Sequence, residues 1–117
     1  SWLHAMDGDV VAGTTQMRGT FVQRAFLYDA DRGELTYLPD DIGGTNAWDI
    51  DDRWVVGDIV NVGQPSGAFV YDRPTGELRA LPGLAGASGT GASAVSGDTV
   101  VGSSGGTVVV WDLASLR

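Results

Sequence analysis

Asn46-Ala47-Trp48-Asp49-Ile50-Asp51-Asp52-Arg53-Trp54 is the stretch of this chain with most capacity for chemistry, and Asp58 follows it closely. Carboxylates so near one another can ligate a hard cation such as calcium through oxygen. Indole rings at Trp48 and Trp54, set among Asp49, Asp51 and Asn46, can instead stack on a sugar ring while the polar groups take its hydroxyls. Paired Asp residues, Asp51 among them, could also cleave a glycosidic bond, but that reaction needs one acid in an apolar pocket and a fixed separation across a cleft. A plainer reading competes with all three: Asp and Asn gather in tight turns because their side chains bond the nearby backbone.

Other candidates are weaker. Asp29-Ala30-Asp31-Arg32-Gly33-Glu34 has the outline of a calcium loop, yet Asp72-Arg73-Pro74-Thr75-Gly76-Glu77 repeats its ends without the middle carboxylate, as a hairpin requires and a metal site does not. His4 is the single histidine and there is no cysteine, so thiolate chemistry, disulfides and Cys-based zinc sites are excluded. Ser88, Thr90, Ser93, Ser103 and Ser104 lie in glycine-rich runs, with no Gly-x-Ser-x-Gly elbow and no lysine of a phosphate loop. The sequence therefore assigns no catalytic residue, cofactor or metal ligand. Its ligand-binding candidates are Trp48, Trp54, Asp49, Asp51 and Asn46.

The 117 residues suit one domain, and Gly at 18 positions beside many Val, Thr and aromatic residues points to short strands and tight turns. Thirteen Asp and two Glu against seven Arg and no Lys give a formal charge of -8, which repels phosphate backbones and anionic membranes. No apolar run approaches the roughly 20 residues of a helical membrane span, and no basic-then-apolar signal segment is present.

What must position the candidates is a repeat. RAFLYDADRGELTYL (24 to 38) returns as GAFVYDRPTGELRAL (67 to 81), and AMDGDVVAG, DIDDRWVVG and AVSGDTVVG share one pattern from residues 5, 49 and 94. Met6/Ile50/Val95, Val11/Val55/Val100 and Gly13/Gly57/Gly102 form ladders at a period of 44 to 45 residues. The copies span about 2–46, 47–91 and 92–117 of a single domain. In the second copy the spacing predicts strands at 47–50, 54–60, 67–72 and 77–81, with Gly76 taking the positive φ of the last turn. Four antiparallel strands in about 40 to 45 residues is the measure of a β-propeller blade. Runs such as Trp54-Val55-Val56 and Phe69-Val70-Tyr71 are apolar on both faces, as a blade sandwiched between neighbours requires.

Val-Val-Gly, Ala-Phe-aliphatic-Tyr-Asp, Gly-Glu-Leu-x-x-Leu-Pro and then Gly-Gly-Thr-Asn-Ala before the next copy, in this order and register, resemble the bacterial extracellular HAF-type repeat. Arg24-Ala25-Phe26 and Gly67-Ala68-Phe69 stand where that family has His-Ala-Phe, and the third copy departs further with Thr107-Val108-Val109. The resemblance implies a propeller-like architecture and secretion or surface display, and no defined activity.

The expected fold is thus all-β, about three blades, fewer than the roughly four to eight of known closed rings. An open arc exposes apolar faces and an edge, so the expected partner is a second copy completing a six-blade ring, with Trp2 and Leu3 of one chain meeting Trp111 and Leu113 of the other. The rest of a longer propeller could fill the same place. The leading expectation for function is a non-enzymatic scaffold for assembly or protein recognition. A carbohydrate-binding, lectin-like module is the alternative, and a fragment of a larger propeller enzyme is the remaining one.

Overall fold

A computed structural model of the chain describes residues 2–16, 23–39, 44–60, 67–83 and 89–114, with side chains from Ala5 onward. These residues form eleven strands: β1 (Trp2–Asp7), β2 (Val10–Gln16), β3 (Gln23–Asp29), β4 (Glu34–Tyr37), β5 (Gly44–Ile50), β6 (Trp54–Val60), β7 (Gly67–Asp72), β8 (Glu77–Leu81), β9 (Thr90–Ser96), β10 (Thr99–Ser104) and β11 (Thr107–Asp112). They pair antiparallel, in sequence order, into three sheets: β1 to β4, β5 to β8, and β9 to β11. The all-β expectation holds. In the second sheet β6, β7 and β8 fall on the predicted ranges, while β5 begins at Gly44, three residues earlier than the pattern suggested. The third sheet has three strands among the described residues, and none of those residues belongs to a helix long and apolar enough to cross a membrane.

Turn chemistry fixes the outer hairpins. Gly33 and Gly76 sit at φ of 67° and 76° and donate their N–H groups to Asp29 and Asp72 carbonyls at 2.7 and 2.8 Å. That left-handed conformation carries no steric cost for glycine. The Asp29 carboxylate accepts the Asp31 and Arg32 amides, so the segment with the outline of a calcium loop folds as a side-chain-capped turn.

The sheets stack face to face, and the middle one is apolar on both sides. Alternate residues of its strands enter different cores, because successive strand side chains point to opposite faces. Val55, Ile59, Phe69 and Tyr71 join Ala12, Ala25 and Leu38 of the first sheet. Trp54, Val56, Ala68, Val70 and Leu81 join Ala92, Val95, Val100 and Leu113 beyond β8. In both junctions the first strand of the later sheet leans on the first three strands of the earlier one, so one packing arrangement occurs twice. Val55 and Val100 are fully buried as the repeat implied, whereas Val11 is only half-buried: among the described residues none packs as a further sheet on its face of the first sheet.

Polar groups bolt the junctions at the strand ends. Thr14 Oγ1 accepts the Ala47 amide at 3.2 Å and Thr45 Oγ1 accepts the Ala25 amide at 2.9 Å, both buried. Arg73, in the β7–β8 turn, reaches back to Asp7 Oδ2 at 2.9 Å and to the Asp51 carbonyl at 2.7 Å. The two threonine ties satisfy backbone amides that the stacking buries, and Arg73 links the first sheet's Asp7 to the second sheet.

Each first strand carries a β-bulge at the same place. The β1–β2 register skips His4, the β5–β6 register skips Trp48, and the β9–β10 register skips Ser93. A bulge leaves one residue out of the ladder and re-aims it, and bulges concentrate beside functional sites. The three skipped residues differ in kind from one another.

Candidate functional site

The bulges of the second and third sheets open onto one cleft. Trp48, Asp58, Thr90, Gly91, Ser93 and Ser103 line it with the glycine backbone of 89, 105 and 106, enclosing about 440 Å³. Trp48 is 44 % exposed, and its Nε1 donates to Asp58 Oδ2 at 2.7 Å, which holds the indole in one orientation. The other end of the clamp reaches the third sheet, because the Asp58 carboxylate also accepts the Ala92 amide. Gly91 lies beneath it, and a Cβ there would run into Asp58 Oδ1 and displace the carboxylate.

Desolvation pushes the Asp58 carboxyl above its ordinary value of 3.8, and the Trp48 indole and the Ala92 amide pull it back in part. An acid raised in this way binds more protons folded than unfolded. Its contribution to stability is full below 3.8 and is lost as pH rises through the raised value. NMR titration of the Asp58 carboxyl carbon should give a midpoint above 3.8, and Trp48→Phe, which deletes the indole donor, should move it higher still. A midpoint at or below 3.8, or a downward move in the variant, would contradict this account of the site.

The five residues singled out by the sequence separate into different roles. Trp48 lines the cleft. Trp54 is 1 % exposed, its ring packed between the second and third sheets and its Nε1 donating to Asp98 Oδ1 at 3.1 Å, so no face of it is open to a ligand. Asp49 Oδ1 accepts the Ile50 amide and its Oδ2 the Val95 amide, both at 2.9 Å. Asp51 Oδ1 accepts the Asp52 amide at 2.7 Å and its Oδ2 the Gly97 amide at 2.5 Å. These two carboxylates are therefore struts from the second sheet to the third. Asn46 pairs with Asp58 across the β5–β6 ladder and is not among the cleft's lining residues. Among the described residues no three His, Cys, Asp or Glu side chains gather as metal ligands.

Asp58, Ser93 and Ser103 were not assigned as ligand candidates from sequence. A signal was available: Thr14, Asp58 and Ser103 follow Gly13, Gly57 and Gly102, a ladder of hydrogen-bond acceptors inside otherwise apolar strands. Thr14 accepts from Ala47 and Asp58 from Ala92, the equivalent residue one repeat later. No protein-family model, curated protein or solved structure matches the chain.

Proposed function

We propose that the chain is a non-enzymatic, β-propeller-like scaffold that assembles head to tail with a second copy of itself into a six-sheet ring. The observation that carries this reading is the chemistry of the two outer faces. On the third sheet Val101, Val108 and Val110 are 41 %, 74 % and 65 % exposed. By repeat register their counterparts are Val56, Ala68 and Val70 in the second sheet, all buried under the third. On the first sheet Met6 is 67 % exposed and Tyr28 and Leu35 are exposed with it, where the second sheet has Ile50 and Tyr71 buried and Leu78 packed against the core.

Each outer face is thus one half of a junction that the chain makes twice internally. Fully burying a valine is worth about 1.5–3 kcal/mol before the cost of docking is charged. Two arcs related by a twofold axis would bury both faces at once and leave no open end. The contact is moved from the residues first expected to make it: Leu113 is fully buried and Trp111 packs against the same core, its Nε1 donating to the Pro82 carbonyl at 2.8 Å. Trp2 and Leu3 lie outside the described side chains. The carboxylates that could have served catalysis, Asp49 and Asp51, are spent on main-chain amides, which favours a scaffold over an enzyme. Secretion or surface display, implied by the HAF-type resemblance, completes the proposal.

Light scattering at micromolar concentration should return twice the chain mass. Val108→Asp with Val110→Asp should return the single mass with an unchanged circular dichroism spectrum, because both side chains face solvent in the lone chain. Added salt should tighten the dimer, since two chains of charge -8 repel one another and screening weakens that repulsion. A folded wild-type monomer under these conditions would overturn the assembly, leaving the outer faces to segments of a longer chain.

A further inference from the structure

We propose that the cleft between the second and third sheets binds a neutral oligosaccharide, with the Trp48 indole as the stacking platform and Asp58, Ser93 and Ser103 as hydroxyl partners. The inference is independent of the assembly reading, because every lining residue belongs to one chain.

Three observations converge on this ligand class. The cleft's volume of about 440 Å³ lies within the usual range of small-molecule sites, roughly 300–1,000 Å³. Its aromatic surface is held rather than mobile, since the Trp48 Nε1 is bonded to Asp58 and the residue sits at a bulge outside the ladder. A fixed, half-exposed indole offers a sugar ring an apolar face at little entropic cost. Around it stand hydroxyls and a carboxylate with lone pairs left over: Asp58 has about four acceptor positions, of which Trp48 and Ala92 use two.

The same lining disfavours other ligands. Among the described residues no Lys or Arg lines the cleft and Asp58 does, so a phosphate, sulfate or uronate would meet negative charge there. An apolar molecule would desolvate Ser93, Ser103 and Asp58 without bonding them. The one carboxylate among the described lining residues is too few for calcium, which takes six to eight oxygens. A ligand with one apolar ring face and a rim of hydroxyls satisfies both halves of the site.

The repeat adds an independent argument. His4, Trp48 and Ser93 hold the same bulge in three sheets, so one backbone device carries a different side chain in each. Ser93, a small side chain, lines the same cleft as Trp48. A large residue there would close it.

The test uses ¹⁵N-labelled chain and the Trp48 indole resonance, titrated with cellohexaose, maltohexaose, mannohexaose and chitohexaose, with glucose and an oligogalacturonate as controls. At least one neutral hexamer should shift the Trp48 signal saturably and leave Trp54 unmoved, more tightly than glucose does, and the oligogalacturonate should bind at least tenfold more weakly. Trp48→Ala should weaken binding of that hexamer at least tenfold, and Ser93→Trp should abolish it with the melting temperature retained. If the four neutral hexamers leave Trp48 unshifted at millimolar concentration, the proposal is overturned. It is overturned equally by binding that survives both substitutions, by the uronate binding as well as the neutral oligomers, or by glucose binding as tightly as any hexamer.

Discussion

Gly57→Ala should unfold much of this protein's margin of stability, shifting the urea midpoint by the equivalent of about 3 kcal/mol or more. Overpacking a buried site typically costs 1–3 kcal/mol when side chains can move aside. Here they cannot. A Cβ on Gly57 would fall on the Asn46 carbonyl, far inside contact distance, and 2.9 Å from the Phe69 ring. Relief would require β5 to part from β6, or Phe69, fully buried in the first core, to leave its place. Small domains have about 5–15 kcal/mol in total, so the loss is a large fraction.

The cause is the bulge. By skipping Trp48 the β5 strand places Ala47 opposite Gly57 and draws the Asn46 carbonyl over its Cα. The third sheet repeats this: Ser93 is skipped, Ala92 faces Gly102, and a Cβ on Gly102 would fall on the Gly91 carbonyl. Gly102→Ala should therefore behave alike. Gly76 differs in kind, since its φ is positive but a Cβ there would meet only the Tyr71 hydroxyl, at 3.8 Å. A Gly57→Ala variant within 1 kcal/mol of the parent would show that the ladder tolerates what this geometry forbids.

That glycine shows how far the sequence could be read. The ladder Gly13/Gly57/Gly102 was visible as a regularity, and with the aliphatic ladders it placed the hairpins of the second sheet to within three residues. Such features are local: turn residues, period-2 patterning and repeat spacing all act between near neighbours in the chain. The reason for the glycine was not visible, because it depends on where a neighbouring strand is bulged. The outer faces follow the same logic. Val108 and Val110 read as ordinary strand residues until the register sets them beside Ala68 and Val70, which are buried.

Asp49 and Asp51 were misleading for a related reason. A turn or a ligand site explains an acidic cluster equally well from sequence, whereas their Oδ2 atoms accept amides 46 residues further along, in the next sheet. Asp58 reads from sequence only as one more carboxylate of the acidic cluster, because its partners, Trp48 and Ala92, converge only after the second and third sheets have stacked.

The two tryptophans make the sharpest division, and they should part company in experiment. In an unbroken ladder Trp48 would sit opposite Gly57; the bulge gives that place to Ala47 and turns Trp48 into the cleft. Trp54 lies beyond the turn with an intact register, paired with Asp72, and its face is the one covered by the third sheet. Arg53 stacks over its ring at 5.0 Å, and Asp98 of the third sheet accepts its Nε1. Trp54→Ala should cost about 3–5 kcal/mol, because it removes the largest buried side chain of that junction and leaves a cavity that two sheets cannot collapse to fill. Trp54→Phe keeps most of the packing and loses the N–H, so it should cost about 1–2 kcal/mol, and a cycle with Asp98→Ala should recover a coupling of about 1 kcal/mol. Trp48→Ala, half-exposed and outside the ladder, should cost far less than Trp54→Ala while abolishing the cleft's aromatic surface. Urea unfolding of the variants decides the matter: if Trp48→Ala destabilises as much as Trp54→Ala, then Trp48 is part of the sheet packing and the cleft has no platform of its own.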